Sequence, residues 1–299
     1  VHPIDEIRLH FSEGGLFFMN ICLGFMMYGI ALELRVEDFK RLFRMPRAAI
    51  AGVMLQYVMI PAIFYGLLLW WKPLPSFALG LILVAACPGG NISNFCSSLA
   101  RANVALSVSL TAFTTVVASV VTPFLFAYWG SRYTPAAELF KTISLSPWDM
   151  VKTILLILIL PMLMGMITAY RFPLVAAKML APIKKISLGL FIVFVIAAFF
   201  SNLHFFLVHI HRLFLLVLLA NSLALMLGYF TAFLFGLDEK DRRTLSIETG
   251  IHNSGLGLIL IFEFFNDIGG MAMVAAWWGI WDMLSALFIA WYWGRRKVL

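Results

Sequence analysis

The chain has 299 residues, 62% of them hydrophobic and only 12% charged, with a formal net charge of +7 and a mean hydropathy of +0.95. A soluble domain carries about 25% charged residues, so the charge here is too sparse to solvate a 33.6 kDa body in water. That excludes a cytosolic enzyme, a secreted domain and a nucleic-acid binder, and makes the bilayer the solvent for most of the chain.

The opening residues are polar and include Asp5, Glu6 and Glu13, so no signal peptide is recognised there. A spanning helix needs about 20 mainly apolar residues. Nine stretches meet that test: Gly15 to Leu34, Ala48 to Trp70, Pro75 to Leu99, Ala102 to Trp129, Trp148 to Tyr170, Ile183 to Phe200, Arg212 to Gly236, Thr244 to Phe265 and Ile268 to Trp293. Their connections are mostly short, and no linker or low-complexity segment divides the chain. An all-α membrane protein of about nine transmembrane helices is expected, forming a single domain over 1–299. Cys22, Cys87 and Cys96 sit in apolar runs and imply no disulfide framework.

Alternate connections differ in basic residues. One set holds Arg35, Lys40, Arg41, Arg44 and Arg47, then Arg101, then Arg171, Lys178, Lys184 and Lys185, then Lys240, Arg242 and Arg243, and last Arg295, Arg296 and Lys297. The opposite set holds only Arg8, Lys72, Arg132, Lys141, Lys152 and Arg212. The positive-inside rule then puts the N-terminus outside and the C-terminus in the cytoplasm, in an inner or plasma membrane. The excess of positive charge is thus explained by loop asymmetry.

Two stretches are interrupted. The third contains Cys87-Pro88-Gly89-Gly90-Asn91-Ile92-Ser93-Asn94, and the eighth contains Glu248-Thr249-Gly250-Ile251-His252-Asn253-Ser254-Gly255. Pro88 has no amide hydrogen and the glycines leave helical dihedrals cheaply. Exposed backbone groups are costly in hydrocarbon, so such breaks persist only inside protein or beside a wet cavity. A pair of them fits an inverted repeat with a binding site where the repeats meet.

Glu248 is a carboxylate inside a membrane stretch, a functional candidate by default. Arg243, five residues earlier, offers the competing reading of a structural ion pair. Ser107 and Thr111 are four apart and share one helix face. With Ser93, Asn94 and Glu248 they supply neutral oxygens and one acid, a set suited to a hard monovalent cation; the soft donors of a zinc or copper site are not clustered. Glu248 and His252 lack the His-Glu-x-x-His pattern of a metalloprotease, and Ser93 and Ser254 lack a base-and-orienter pair. No enzyme is expected.

These motifs, together with Ala100-Arg101-Ala102-Asn103-Val104-Ala105-Leu106-Ser107, resemble the bile acid:sodium symporter family over nearly the whole chain. The resemblance implies panel and core domains, inverted repeats and two discontinuous helices crossing near mid-membrane. It implies sodium entry coupled to uptake of an organic anion by alternating access. A first sodium site would use Ser93, Asn94, Ser107, Thr111 and Glu248. A second would use Gln56, Glu248, His252 and the backbone carbonyls near Thr249 and Ile251, but His252 stands where the family commonly has glutamine, and imidazole is a poor ligand for sodium. One sodium ion is therefore expected, with the second set compromised. His252 and Asp282 form a candidate proton-carrying or structural pair.

The anion would meet half-helix N-termini at Asn91 and Asn253. The expected partners are a small organic anion and the lipid bilayer, with no nucleic acid and no protein partner inferred. The rivals are a proton-coupled or sodium-independent anion transporter of the same fold and an arsenite-like inorganic-ion transporter, for which Cys87 and Cys96 beside the break are the pertinent residues.

Overall fold

The computed structural model describes residues 13–142, 146–201, 203–265 and 268–296. Asp5, Glu6, Arg8 and Lys297 lie outside them, as do the side chains of Lys184 and Arg212. The described residues are helical almost throughout: α1 Glu13–Ala31, α2 Val36–Arg44, α3 Pro46–Trp71, α4 Pro75–Ala86, α5 Ile92–Leu99, α6 Val104–Arg132, α7 Ala137–Thr142, α8 Pro147–Arg171, α9 Pro173–Ser201, α10 Leu203–Leu234, α11 Glu239–Gly250, α12 Ser254–Phe264 and α13 Gly269–Gly294. Each of the nine apolar stretches falls on one of these helices or on a broken pair. Among the described residues, five segments are long and apolar enough to cross a membrane: Pro46–Trp71, Val104–Arg132, Pro147–Arg171, Leu213–Leu234 and Gly269–Gly294.

The third and eighth stretches are helix pairs, α4–α5 and α11–α12, as the sequence requires. Two other spans hold a feature that their even hydropathy hides. α3 widens into a π-turn at Leu55–Met59, just before Pro61, and α8 does so at Leu155–Ile159, just before Pro161. A proline inside a helix removes one amide and crowds the preceding turn. A π-turn absorbs that mismatch without ending the helix.

α1 packs against α8 and α9, whereas α3, α4, α6, α10, α11 and α13 pack among one another; α12 lies on α13 and also touches α1. The largest apolar core joins Phe64 of α3, Phe77 and Leu81 of α4, Leu260 of α12 and Trp278 of α13. Large apolar side chains also cover the outside, among them Leu156, Leu174, Phe233, Leu234 and Phe288. Water would oppose such a surface; hydrocarbon accepts it, which is the composition argument expressed in three dimensions.

Candidate functional site

The two breaks meet. α4 ends where Cys87 turns to extended dihedrals ahead of Pro88, and α11 ends at Gly250. The freed strands then pair antiparallel: Gly90 N–H donates to Ile251 O at 3.0 Å and Asn253 N–H donates to Pro88 O at 2.8 Å, with Gly89 opposite His252. Any larger residue at this approach would force a neighbour to shift. A Cβ on Gly89 would stand 2.9 Å from Glu248 Oε2, and one on Gly90 would stand 2.8 Å from Ile251 Cγ2.

Side chains from neighbouring helices take up the remaining freed backbone groups. Thr122 Oγ1 donates to Ala86 O at 2.6 Å, Gln56 Nε2 to Cys87 O at 2.8 Å and Asn221 Nδ2 to Gly250 O at 2.7 Å. The His252 amide donates to Asp282 Oδ2 at 3.2 Å. Much of the interruption is therefore satisfied inside the protein, one of the conditions under which it survives at membrane depth.

On one side of the crossing lies the acid. Glu248 is 2% exposed, and its carboxylate accepts hydrogen bonds from Ser93 Oγ of α5 and Ser107 Oγ of α6. Thr111 Oγ1, one turn further along α6, is 2.9 Å from each carboxylate oxygen. Ser93 and Thr111 hydroxyls are 3.3 Å apart, and Ser107 Oγ lies 2.9 Å from Asn94 Oδ1. The structure thus brings Ser93, Asn94, Ser107, Thr111 and Glu248 together in one oxygen-lined cluster. Arg243 turns elsewhere, to Glu239, so the ion-pair alternative for Glu248 is not what forms. Among the described residues no lysine or arginine pairs with this acid. A buried carboxylate without a positive partner is expensive, and a small cation relieves it.

The residues of the second expected set sit at or beside the crossing itself. Gln56 uses its amide nitrogen on Cys87 O. Thr249 Oγ1 bonds back to Leu245 O at 2.7 Å and reaches Ala224 O at 3.0 Å. Ile251 O is taken by the Gly90 amide. His252 is 2% exposed, its ring packs against Phe64 and Trp278, and among the described residues neither ring nitrogen has a hydrogen-bond partner. Asp282 reaches His252 through its backbone amide and not through the ring.

The two asparagines named for the anion occupy helix N-termini. Asn91 is the N-cap of α5, with no cap bond from its side chain. Asn253 is the N-cap of α12: its Oδ1 accepts from Leu256 N–H at 3.0 Å, and its Nδ2 is buried with no partner among the described residues. Because the chains cross beside both residues, two helix N-termini lie next to the crossing, each with the partial positive charge of its exposed amides.

Sequence reasoning passed over Thr122, Asn221 and the Asn103–Thr244 contact described below. A lone amide in an apolar span was a usable signal for Asn221. Thr122 gave none, since membrane hydroxyls commonly bond to their own helix.

Comparison with known proteins bears on this geometry. The Sodium Bile acid symporter family profile matches residues 20–209. The chain is 32% identical over 293 residues to an uncharacterized sodium-dependent transporter, YocS, of Bacillus subtilis, covering 96% of this chain and 88% of that protein. It is 32% identical over 244 residues to the probable sodium/metabolite cotransporter BASS1, chloroplastic, of Arabidopsis thaliana, covering 81% of this chain and 58% of that protein. It is 25% identical over 279 residues to a sodium-dependent organic anion transporter of Bos taurus, covering 86% and 71% respectively.

Proposed function

The chain belongs to the Sodium Bile acid symporter family, a family of sodium-dependent membrane transporters, and from that premise we propose that it couples sodium entry to uptake of an organic anion by alternating access. In this reading the nine stretches are nine spans, with the N-terminus outside and the C-terminus in the cytoplasm. α1, α8 and α9 form the panel, and the helices around the crossing form the core.

The observation that supports it is the Glu248 cluster, a buried acid ringed by Ser93, Asn94, Ser107 and Thr111. We assign one sodium ion to it. Oxygen donors of this kind suit a hard cation, and the carboxylate supplies the charge that neutral ligands lack. The anion is assigned to Asn91, Asn253 and the helix ends beside them. Sodium and anion then share the crossing: the ion neutralises Glu248 and so removes the repulsion that the bare carboxylate would exert on an incoming anion. Imidazole is a poor ligand for sodium, so we assign no second ion to the His252 set.

The test is uptake into proteoliposomes under an imposed sodium gradient, screened over small carboxylates and bile salts. Accumulation should occur with sodium and not with potassium, and Glu248→Gln should abolish it. Equal uptake in either salt would refute sodium coupling and favour the sodium-independent rival.

A further inference from the structure

The acid cluster draws on helices from different parts of the chain, so something must hold those helices in step. α6 and α11 start side by side at the end of the molecule bearing Arg101, Lys240 and Arg242. Asn103 is the N-cap of α6, its Oδ1 accepting from Leu106 N–H at 3.1 Å. Its Nδ2 donates to Asp241 Oδ1 at 2.7 Å, and its own amide donates to Thr244 Oγ1 at 2.9 Å. Thr244 is fully buried and passes its hydroxyl hydrogen to Lys240 O at 2.9 Å.

The pairing recurs one turn along. Asn103 and Thr244 are separated by 141 residues in sequence, and so are Ser107 and Glu248. Both helices advance by one turn between the contacts, so they run parallel in fixed register. A slip of one residue along either axis would shift Ser107 by about 1.5 Å against Glu248, enough to break a hydrogen bond. Arg243, 3% exposed, ties the same end: its Nε donates to Glu239 Oε1 at 2.9 Å, and its Nη1 lies 3.1 Å from Ala100 O and 3.2 Å from Trp293 O.

We propose that Asn103 and Thr244 are positioning residues that set the register of α6 against α11 and thereby shape the Glu248 cluster one turn away. They touch no ion. Their effect passes through Ser107 and Glu248, and it rests on the reading of that cluster as the sodium site.

The experiment uses the full chain in detergent, with Thr244→Val, which keeps the shape and removes the hydroxyl, and Thr244→Ser, which keeps the hydroxyl. Amide hydrogen exchange is followed by mass spectrometry, and sodium and substrate titrations are run on reconstituted protein. In Thr244→Val, exchange should quicken about tenfold through both 104–111 and 244–250 while α3 is unaffected. The sodium concentration for half-maximal uptake should rise about tenfold; substrate KM at saturating sodium should hold, and Thr244→Ser should behave as the parent chain. Quickened exchange confined to residues beside position 244, or an unchanged sodium requirement in a folded Thr244→Val, overturns the proposal by reducing the contact to a local cap. If Thr244→Val fails to fold, Asn103→Ser, which keeps a capping hydroxyl and loses the bond to Asp241, is read by the same criteria. A parent chain without any sodium response would sink the ion reading alone; the exchange pattern still decides whether the register contact acts at a distance.

Discussion

Thr111 Oγ1 sits 2.9 Å from both carboxylate oxygens of Glu248, so a single hydroxyl straddles the acid. It has one hydrogen to give, and the second oxygen faces its lone pairs. The arrangement improves when a cation accepts from the hydroxyl oxygen and the acid together. Thr111→Val keeps the shape and removes that oxygen. The sodium dependence of melting should shift to about tenfold higher concentration, the equivalent of about 1.4 kcal/mol, as measured by thermal unfolding across a sodium series. An unshifted midpoint would remove Thr111 from the ligand set.

Glu248→Gln should erase the difference in melting between sodium and potassium. A ligand at 100 times its Kd stabilises the folded state by about 2.7 kcal/mol, so the parent chain should melt measurably higher in saturating sodium. The variant should melt alike in both salts.

Gly89→Ala and Gly66→Ala form a contrasting pair. At Gly89 the new methyl would press within 2.9 Å of Glu248 Oε2, whereas at Gly66 it meets nothing within 4 Å. The first should lower stability by about 1–3 kcal/mol and weaken the sodium response. The second lies in a helix and should be neutral, or should stabilise by up to about 1 kcal/mol. Melting and sodium titration of both variants report the comparison.

Asp282 accepts the amide that the break takes away from the helix. Asp282→Leu should leave that buried donor unpaired, at a cost of about 1–3 kcal/mol, whereas Asp282→Asn keeps an acceptor oxygen and should recover most of the stability. If Asp282→Asn melts as low as Asp282→Leu, the negative charge, and not the acceptor, is what the site requires.

Cys87 and Cys96 are both fully buried. Maleimide should leave uptake intact and should label them only after denaturation. Block of transport by the reagent would revive the inorganic-ion reading, in which a thiol serves the cargo.

The sequence made the breaks legible because their signal is local: a proline, adjacent glycines and an acid, in segments that are otherwise mainly apolar. The oxygen set followed from helical spacing at Ser107 and Thr111. What it hid depended on which atom faces which. His252 and Asp282 were paired by residue type, yet the bond runs through a main-chain amide that no pattern reveals. The π-turns before Pro61 and Pro161 left hydropathy unchanged, so nothing in the apolar pattern disclosed them. The Asn103–Thr244 contact spans 141 residues and becomes visible only when α6 lies beside α11.

The crossing itself is fastened by main-chain atoms, Gly90 to Ile251 and Asn253 to Pro88. A joint of that kind is indifferent to most side-chain identities, so substitutions at Asn91, Ile251 or His252 should leave the scaffold beneath them in place. The glycines have no such latitude.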